Sequence, residues 1–386
     1  MRFTKAAVLF AVAALAHSAA AVAAEDSARI AAAVDQAYRP LLKQYDIPGM
    51  AVAVTVNGQQ HFFNFGVAAK GQKAPVTKDT LFEIGSVSKT FTATLAAHAV
   101  DRGALALGAH PGVYMPELRG APLDRATVLN FGTYSAGGLP LQLPVSVKNE
   151  ATMVAYFKGF KPAAAAGERR QYSNPSLGLF GHLAALAMKR DFADVMEHDI
   201  FPQLGLKDSY VRVPAAAMNR YAWGTKGDKT VRVNPAVFAD ETYGVKTSAA
   251  DMLHFIEVNI APDQLDAPMR RAVEATHVGY FRVGAMVQGL GWEQYDFPVT
   301  LETLRAGNSA DMIFKPQAAT ALSPPRAPQD ATLFDKTGST TGFGSYVAFV
   351  PARKIGLVML ANRNFPIPAR IDAAHAVLEA LAALPR

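Results

Sequence analysis

Gly344-Ser345-Tyr346-Val347-Ala348-Phe349-Val350, Pro351-Ala352-Arg353-Lys354 and Ile355-Gly356-Leu357-Val358-Met359-Leu360-Ala361 follow one another without a break. The first and third runs read as strands and the second, with its proline and charges, as the turn between them. Working outward, Ile371, Ala374, Leu378 and Leu381 fall on one face of a final helix. The other end of the chain repeats this chemistry. Ile30, Val34, Tyr38 and Leu41 recur at helical spacing until Pro48-Gly49, and Met50 to Val56 and His61 to Val67 flank Asn57-Gly58, a strong hairpin signal. The expected fold is therefore α/β (α+β), an antiparallel sheet flanked by helices and built from both termini. Residues 25–100 and 300–386 are expected to form this α/β domain. Residues 101–299 read as an inserted, mostly helical domain with loops, since Thr92 to Leu253 is largely Ala- and Leu-rich. Gly137 to Pro144 and Ser323 to Pro328 read as loops.

The 386 residues include no cysteine, which excludes a disulfide framework and a thiolate zinc site. Half are apolar and 18% are charged, so the chain has enough surface to bury for a globular core. At the start, Arg2 and Lys5 precede an apolar run, Ala6 to Leu15, and small residues from Ser18 to Ala24. This pattern reads as a secretory signal peptide over 1–24, too short in its apolar part to span a bilayer. Its removal takes away Arg2 and Lys5 and lowers the net charge from +6 to +4. The expected location is the periplasm, with no stable membrane association afterwards. No Lys/Arg run argues for nucleic acid, and a monomer is expected.

The nine histidines are scattered, without His-Glu-x-x-His, so no metal set is expected, and His98 reads as a satisfied helix histidine. Nor is there a Gly-x-Ser-x-Gly elbow. Ser86-Val87-Ser88-Lys89 is different, because residues three apart share a helix face and the Lys89 amine can reach the Ser86 hydroxyl. The helix start adds N–H groups that favour negative charge nearby. Alone this motif is weak; two more follow it in the chain. Tyr172-Ser173-Asn174 precedes a turn into a helix, and Lys336-Thr337-Gly338 follows a strand over Ala331 to Phe334. Together they supply a nucleophile, a base and a cation for an anionic substrate.

The combination Ser-x-x-Lys, Tyr-x-Asn and Lys-Thr-Gly resembles the signature of active-site-serine β-lactamases and penicillin-recognising enzymes. The tyrosine of the second motif is similar to that of class C β-lactamases. The likeness extends over Tyr45 to Met50, Leu81 to Thr92, Thr133 to Pro144, Tyr243 to Lys246, Gln288 to Glu293 and Leu360 to Arg370. It implies hydrolysis of the β-lactam amide of penicillins, and especially cephalosporins, through an acyl-enzyme on Ser86, with Lys89, Tyr172 and Lys336 as catalytic partners. It also implies an oxyanion hole from the backbone N–H groups of Ser86 and Ser339, and no metal or organic cofactor. Either Tyr172 or Lys89 can serve as the base. By the same resemblance Gln142 and Asn174 hold the acylamide of a small β-lactam, and Lys336, Thr337, Ser339, Asn364 and Arg370 surround its carboxylate. Tyr243 would wall the pocket and Tyr134 line the cleft. No Glu-x-x-x-Asn of the class A kind follows Asn174, so water activation is expected to reuse Tyr172. Ile367 and Asp335 depart from the family pattern, which often has Asn and His there. The alternatives are a D-Ala-D-Ala carboxypeptidase or serine esterase of the same fold, or a non-catalytic penicillin-binding sensor.

Overall fold

A computed structural model describes residues 4–384, without the side chains of residues 4–23; of the leader reading over 1–24, residues 1–3 lie outside the described residues and the rest falls on the backbone of a helix. Helix α1 (Thr4–Gln44) runs into a nine-stranded antiparallel sheet. Its strands are β1 (Gly49–Val56), β2 (Gln59–Gly66), β3 (Gly279–Val283), β4 (Met286–Gly289), β5 (Glu293–Asp296), β6 (Thr320–Arg326), β7 (Thr332–Ser339), β8 (Gly344–Val350) and β9 (Ile355–Ala361), in the order β6-β3-β4-β5-β7-β8-β9-β1-β2. The opening stretch forms the hairpin β8–β9, with Val350 opposite Ile355. Asn57-Gly58 closes the hairpin β1–β2, both residues with positive φ.

The period-two geometry of a strand explains why these runs are so apolar. Met50, Val52, Val54, Tyr346, Ala348, Leu357 and Met359 face one layer, where α1 and the last helix, α5 (Ile367–Ala382), supply Val34, Tyr38, Ile371, Ala374 and Leu378. Ala51, Ala53, Val347, Phe349, Val358 and Leu360 face the other core, which includes Phe255 and Ile256 of α4 (Ala249–Ile260). Each of the Val, Leu, Ile, Met and Phe side chains contributes about 1.5–3 kcal/mol by leaving water, and each alanine less. The sheet is a rigid middle layer, and the functional residues lie where it meets the helical region.

Two expectations about the middle of the chain need correction. Residues 279–296, inside the stretch read as mostly helical, form β3, β4 and β5 of the sheet. These strands are four or five residues long, too short to stand out as apolar periodicity, and a tight turn at Gly284, with φ of +60°, joins the first two. Ser323 to Pro328 was expected as a loop, yet Ser323, Pro324 and Pro325 belong to β6. That strand is at the sheet's edge, where a missing proline N–H costs little, and its register to β3 shifts between Ala321 and Arg326. No helix among the described residues is long and apolar enough to cross a membrane.

Candidate active site

The chain enters the site through the short strand Phe82–Glu83, paired with Lys246–Thr247. Gly85 then turns with φ of +53°, and the 3-10 turn Gly85–Val87 leads into α2 (Ser88–Asp101). A Cβ at Gly85 would lie 2.4 Å from the backbone N of Ser339, so only glycine allows this contact. Ser86 and Ser339 are thereby brought side by side. Lys89, wholly buried at the second residue of α2 and one turn after Ser86, donates to Ser86 Oγ at 2.8 Å and to the Thr242 carbonyl at 2.8 Å. Burial disfavours its charge; with Tyr172 and Glu293 favouring it and Lys336 opposing it, the amine comes down to about 8.

Tyr172 is held by its neighbours in the motif. Ser173 caps α3 (Asn174–Ala187) by accepting the Ser176 N–H at 3.0 Å, while its own hydroxyl donates to the Pro140 carbonyl at 2.6 Å. Two ammonium groups approach the Tyr172 ring, Lys89 Nζ at 5.3 Å and Lys336 Nζ at 5.2 Å from its centroid. Burial pushes the phenol up, but Lys336, Lys89 and a hydrogen bond with Ser86 more than offset it and bring the group down to about 8. Lys336 lies within β7 itself, past the expected strand end at Phe334, and on the face opposite Asp335. Burial lowers it, yet Glu293, Tyr172 and Asp335 hold it above the ordinary lysine value.

A cavity of about 670 Å³ opens in front of these groups, lined among others by Ser86, Tyr172, Lys336, Thr337, Ser339 and Asn364. Gln142 and Asn174 line it too and also border a second cavity of about 340 Å³, which carries Tyr243 and Phe238. Two expected contacts sit elsewhere. Arg370 is fully buried behind the wall and donates to the Gly338 carbonyl, Ser339 Oγ at 3.1 Å, Asn364 Oδ1 at 2.6 Å and the Phe365 carbonyl. It is not among the lining residues and meets the cavity through Ser339 and Asn364. Tyr134 does not line the cavity either. Its buried ring packs 4.8 Å from that of Tyr172, and burial holds its phenol well above 10.

The β-lactamase family model matches residues 34–382. The chain belongs to the β-lactamase family. A β-lactamase of Pseudomonas fluorescens is 50% identical over 349 residues, covering 90% of this chain and 98% of that one. Among solved structures, a class C β-lactamase in complex with cefoxitin superposes with a TM-score of 0.89 at 46% identity, covering 92% of this chain and 99% of the other. A β-lactamase/D-alanine carboxypeptidase from Pseudomonas syringae also gives 0.89, at 44% identity over 91% and 98%.

Around the motifs of this β-lactamase-family chain lies a buried network that sequence reasoning missed. Arg170 donates to Glu293 Oε1 at 3.1 Å, Gln288 Oε1 at 2.7 Å and the Met312 carbonyl at 2.8 Å, and Glu293 lies 3.6 Å from Lys336. The available signal was Glu293 itself, a charge beside Leu290 and Trp292 that could not be buried unpaired. Asp335 is pushed up to about 7 by burial and by Glu293, although Asn308 and Tyr346 each donate to it at 2.9 Å. His98 is in α2 as expected, but its buried Nδ1 has no hydrogen-bond partner among the described residues, so it is packed and not satisfied.

Glu241 precedes Thr242, whose carbonyl holds Lys89. Burial pushes its carboxyl up to about 8; its own backbone N–H opposes this, and Asp240 and Asp191 add to it. Between its ordinary 4.5 and about 8 the folded chain keeps a proton that the unfolded chain has lost, so stability falls as pH rises through that window. Glu241→Gln removes the dependence. Its melting temperature should exceed the parent's by about 2 °C or more at pH 8 and match it near pH 4, as read by thermal unfolding at the two pH values.

Proposed function

We propose that the chain is a class C serine β-lactamase that opens the β-lactam amide of penicillins and especially cephalosporins. The observation that carries this reading is the wholly buried Lys89 amine, 2.8 Å from Ser86 Oγ, with the Tyr172 ring close to both it and the Lys336 ammonium. Ser86 Oγ attacks the lactam carbonyl as its proton passes to the Lys89/Tyr172 pair. The resulting oxyanion is met by the backbone N–H groups of Ser86 and Ser339. The C–N bond then breaks as the pair returns the proton to the lactam nitrogen, leaving an ester on Ser86. Water, deprotonated by the same pair, hydrolyses the ester and regenerates the serine. Lys336, Thr337, Ser339 and Asn364 receive the substrate carboxylate, and Arg370 stiffens that wall from behind. Gln142 and Asn174 take the acylamide, with Tyr243 beside them. The chain acts as a periplasmic monomer after loss of its leader, free of the membrane, and its activity confers resistance to these antibiotics.

The second reading, a D-Ala-D-Ala carboxypeptidase, is favoured by the Pseudomonas syringae neighbour. Steady-state turnover and intact-mass measurement separate the two. Rapid cephalosporin hydrolysis unaffected by a chelator supports the lactamase, whereas a penicilloyl adduct that persists with negligible turnover assigns the peptidase.

A further inference from the structure

Three residues before Ser86, Glu83 is 1% exposed, and its carboxylate is bound by three neutral donors. Tyr221 OH and Val233 N–H donate to Oε1 at 2.6 and 2.7 Å, and Thr340 Oγ1 donates to Oε2 at 2.6 Å. Arg232 and Lys246, its cross-strand partner, act on this charge from a distance, but neither forms an ion pair with it, and a buried carboxylate without such a pair is costly to keep. An apolar side chain would fill this space at less cost if filling were all that mattered. The placement of the three donors suggests what else matters. Thr340 directly follows Ser339, while Tyr221 and Val233 come from the wall behind the strand Phe82–Glu83. One carboxylate therefore ties the segment leading to Ser86 both to that wall and to the end of β7.

Two further contacts act at the same seam. Ser345 Oγ donates to the Ile84 carbonyl at 2.7 Å, and Gly85 packs directly on the Ser339 backbone. The Glu83–Thr340 bond is the one that is charge-assisted, and such bonds are roughly twice as strong as neutral ones. We propose that Glu83 is a positioning residue, holding Thr340 so that the backbone N–H groups of Ser86 and Ser339 keep the spacing an oxyanion requires. This rests on the serine mechanism proposed above.

The test uses the full chain and two conservative changes. Thr340→Val removes a hydroxyl and little else. Glu83→Gln keeps an oxygen for Tyr221 and Val233 and turns an NH2 toward Thr340, so it loses the charge but not the contacts. The readouts, per active site titrated with a slowly turned-over β-lactam, are kcat/KM on a chromogenic cephalosporin and the affinity of a phenylboronic acid. The tetrahedral boronate adduct places an oxygen against both backbone N–H groups. Thr340→Val is expected to lower both quantities in parallel by about tenfold, less than the about 10²–10³ typical of deleting an oxyanion donor. Glu83→Gln should fall between it and the parent, and Thr340→Ser should restore both values. If Glu83→Gln does not fold, the Thr340 pair carries the comparison alone. Values within twofold of the parent in every folded variant, even with a lower melting temperature, would overturn the positioning role while leaving the serine mechanism intact. A parent without any β-lactam turnover would instead overturn the proposed function, and the role of Glu83 with it.

Discussion

Ser86→Ala should lower cephalosporin turnover by about 10⁵–10⁶, comparable to loss of the nucleophile in other serine hydrolases and equivalent to about 7–8 kcal/mol of barrier. The size of the effect follows from the surroundings. Other hydroxyls lie near, but each has a structural task. Ser88 Oγ accepts the Val245 N–H at 3.0 Å, Ser345 Oγ is committed to the Ile84 carbonyl, and Ser339 Oγ accepts from Arg370. None can replace Ser86 beside the Lys89 amine without breaking those bonds. The variant should still fold, because the turn Gly85–Val87 is set by backbone contacts and the Lys89 amine keeps the Thr242 carbonyl as partner. Two measurements check this: turnover of a cephalosporin, and intact mass after exposure to a penicillin. No adduct should form. A variant within about 100-fold of the parent, or one still acylated, would move the nucleophile elsewhere.

How much of this could be read in the sequence depended on whether the determining contacts were local. The hairpin Gly344–Ala361 was legible because strand and turn chemistry are encoded over a few residues, and the turn at Asn57-Gly58 for the same reason. Ser86 and Lys89 were legible because one helical turn places them together. Tyr172 and Lys336 were found only as parts of a family-like set, since nothing in their own neighbourhoods says that two ammonium groups converge on one phenol. Arg170 and Glu293 could not be paired in advance, because the fold brings them together from separate elements. Arg370 was expected at the substrate's carboxylate; its position behind Ser339 and Asn364 follows from carbonyls at the β7 and α5 ends that compete for its donors. Short strands such as β4 and an edge strand containing Pro324 and Pro325 escape pattern reading, because tertiary pairing outweighs their weak local signal.

Tyr172→Phe should cost about 10³ in kcat/KM, within the range that a positioned acid–base group supplies. The ring and its packing on Tyr134 are retained, so the loss reports the hydroxyl and not the fold. In the parent, Lys89 and Tyr172 are each drawn down to about 8, and they titrate together; the apparent pKa belongs to the pair. Raising the pH removes one proton from the pair and creates the base. Log kcat/KM should therefore rise with unit slope below about pH 8 and level off above it. Lys336 is the strongest of the groups that favour the phenolate, so Lys336→Ala should shift the bend to higher pH as well as weaken substrate binding. Shift and binding loss are separable, since the first moves the profile along the pH axis and the second lowers its plateau. In Tyr172→Phe the two accounts of the base diverge. If the phenol carries the proton, the residual rate is small and the bend near pH 8 disappears. If Lys89 carries it, the variant stays within about tenfold of the parent and keeps a bend. The bend should then lie lower, because removal of the phenol takes away the main influence that holds the Lys89 charge against burial. One pH–rate profile on this variant thus assigns the proton to one side chain of a pair that static geometry leaves equivalent.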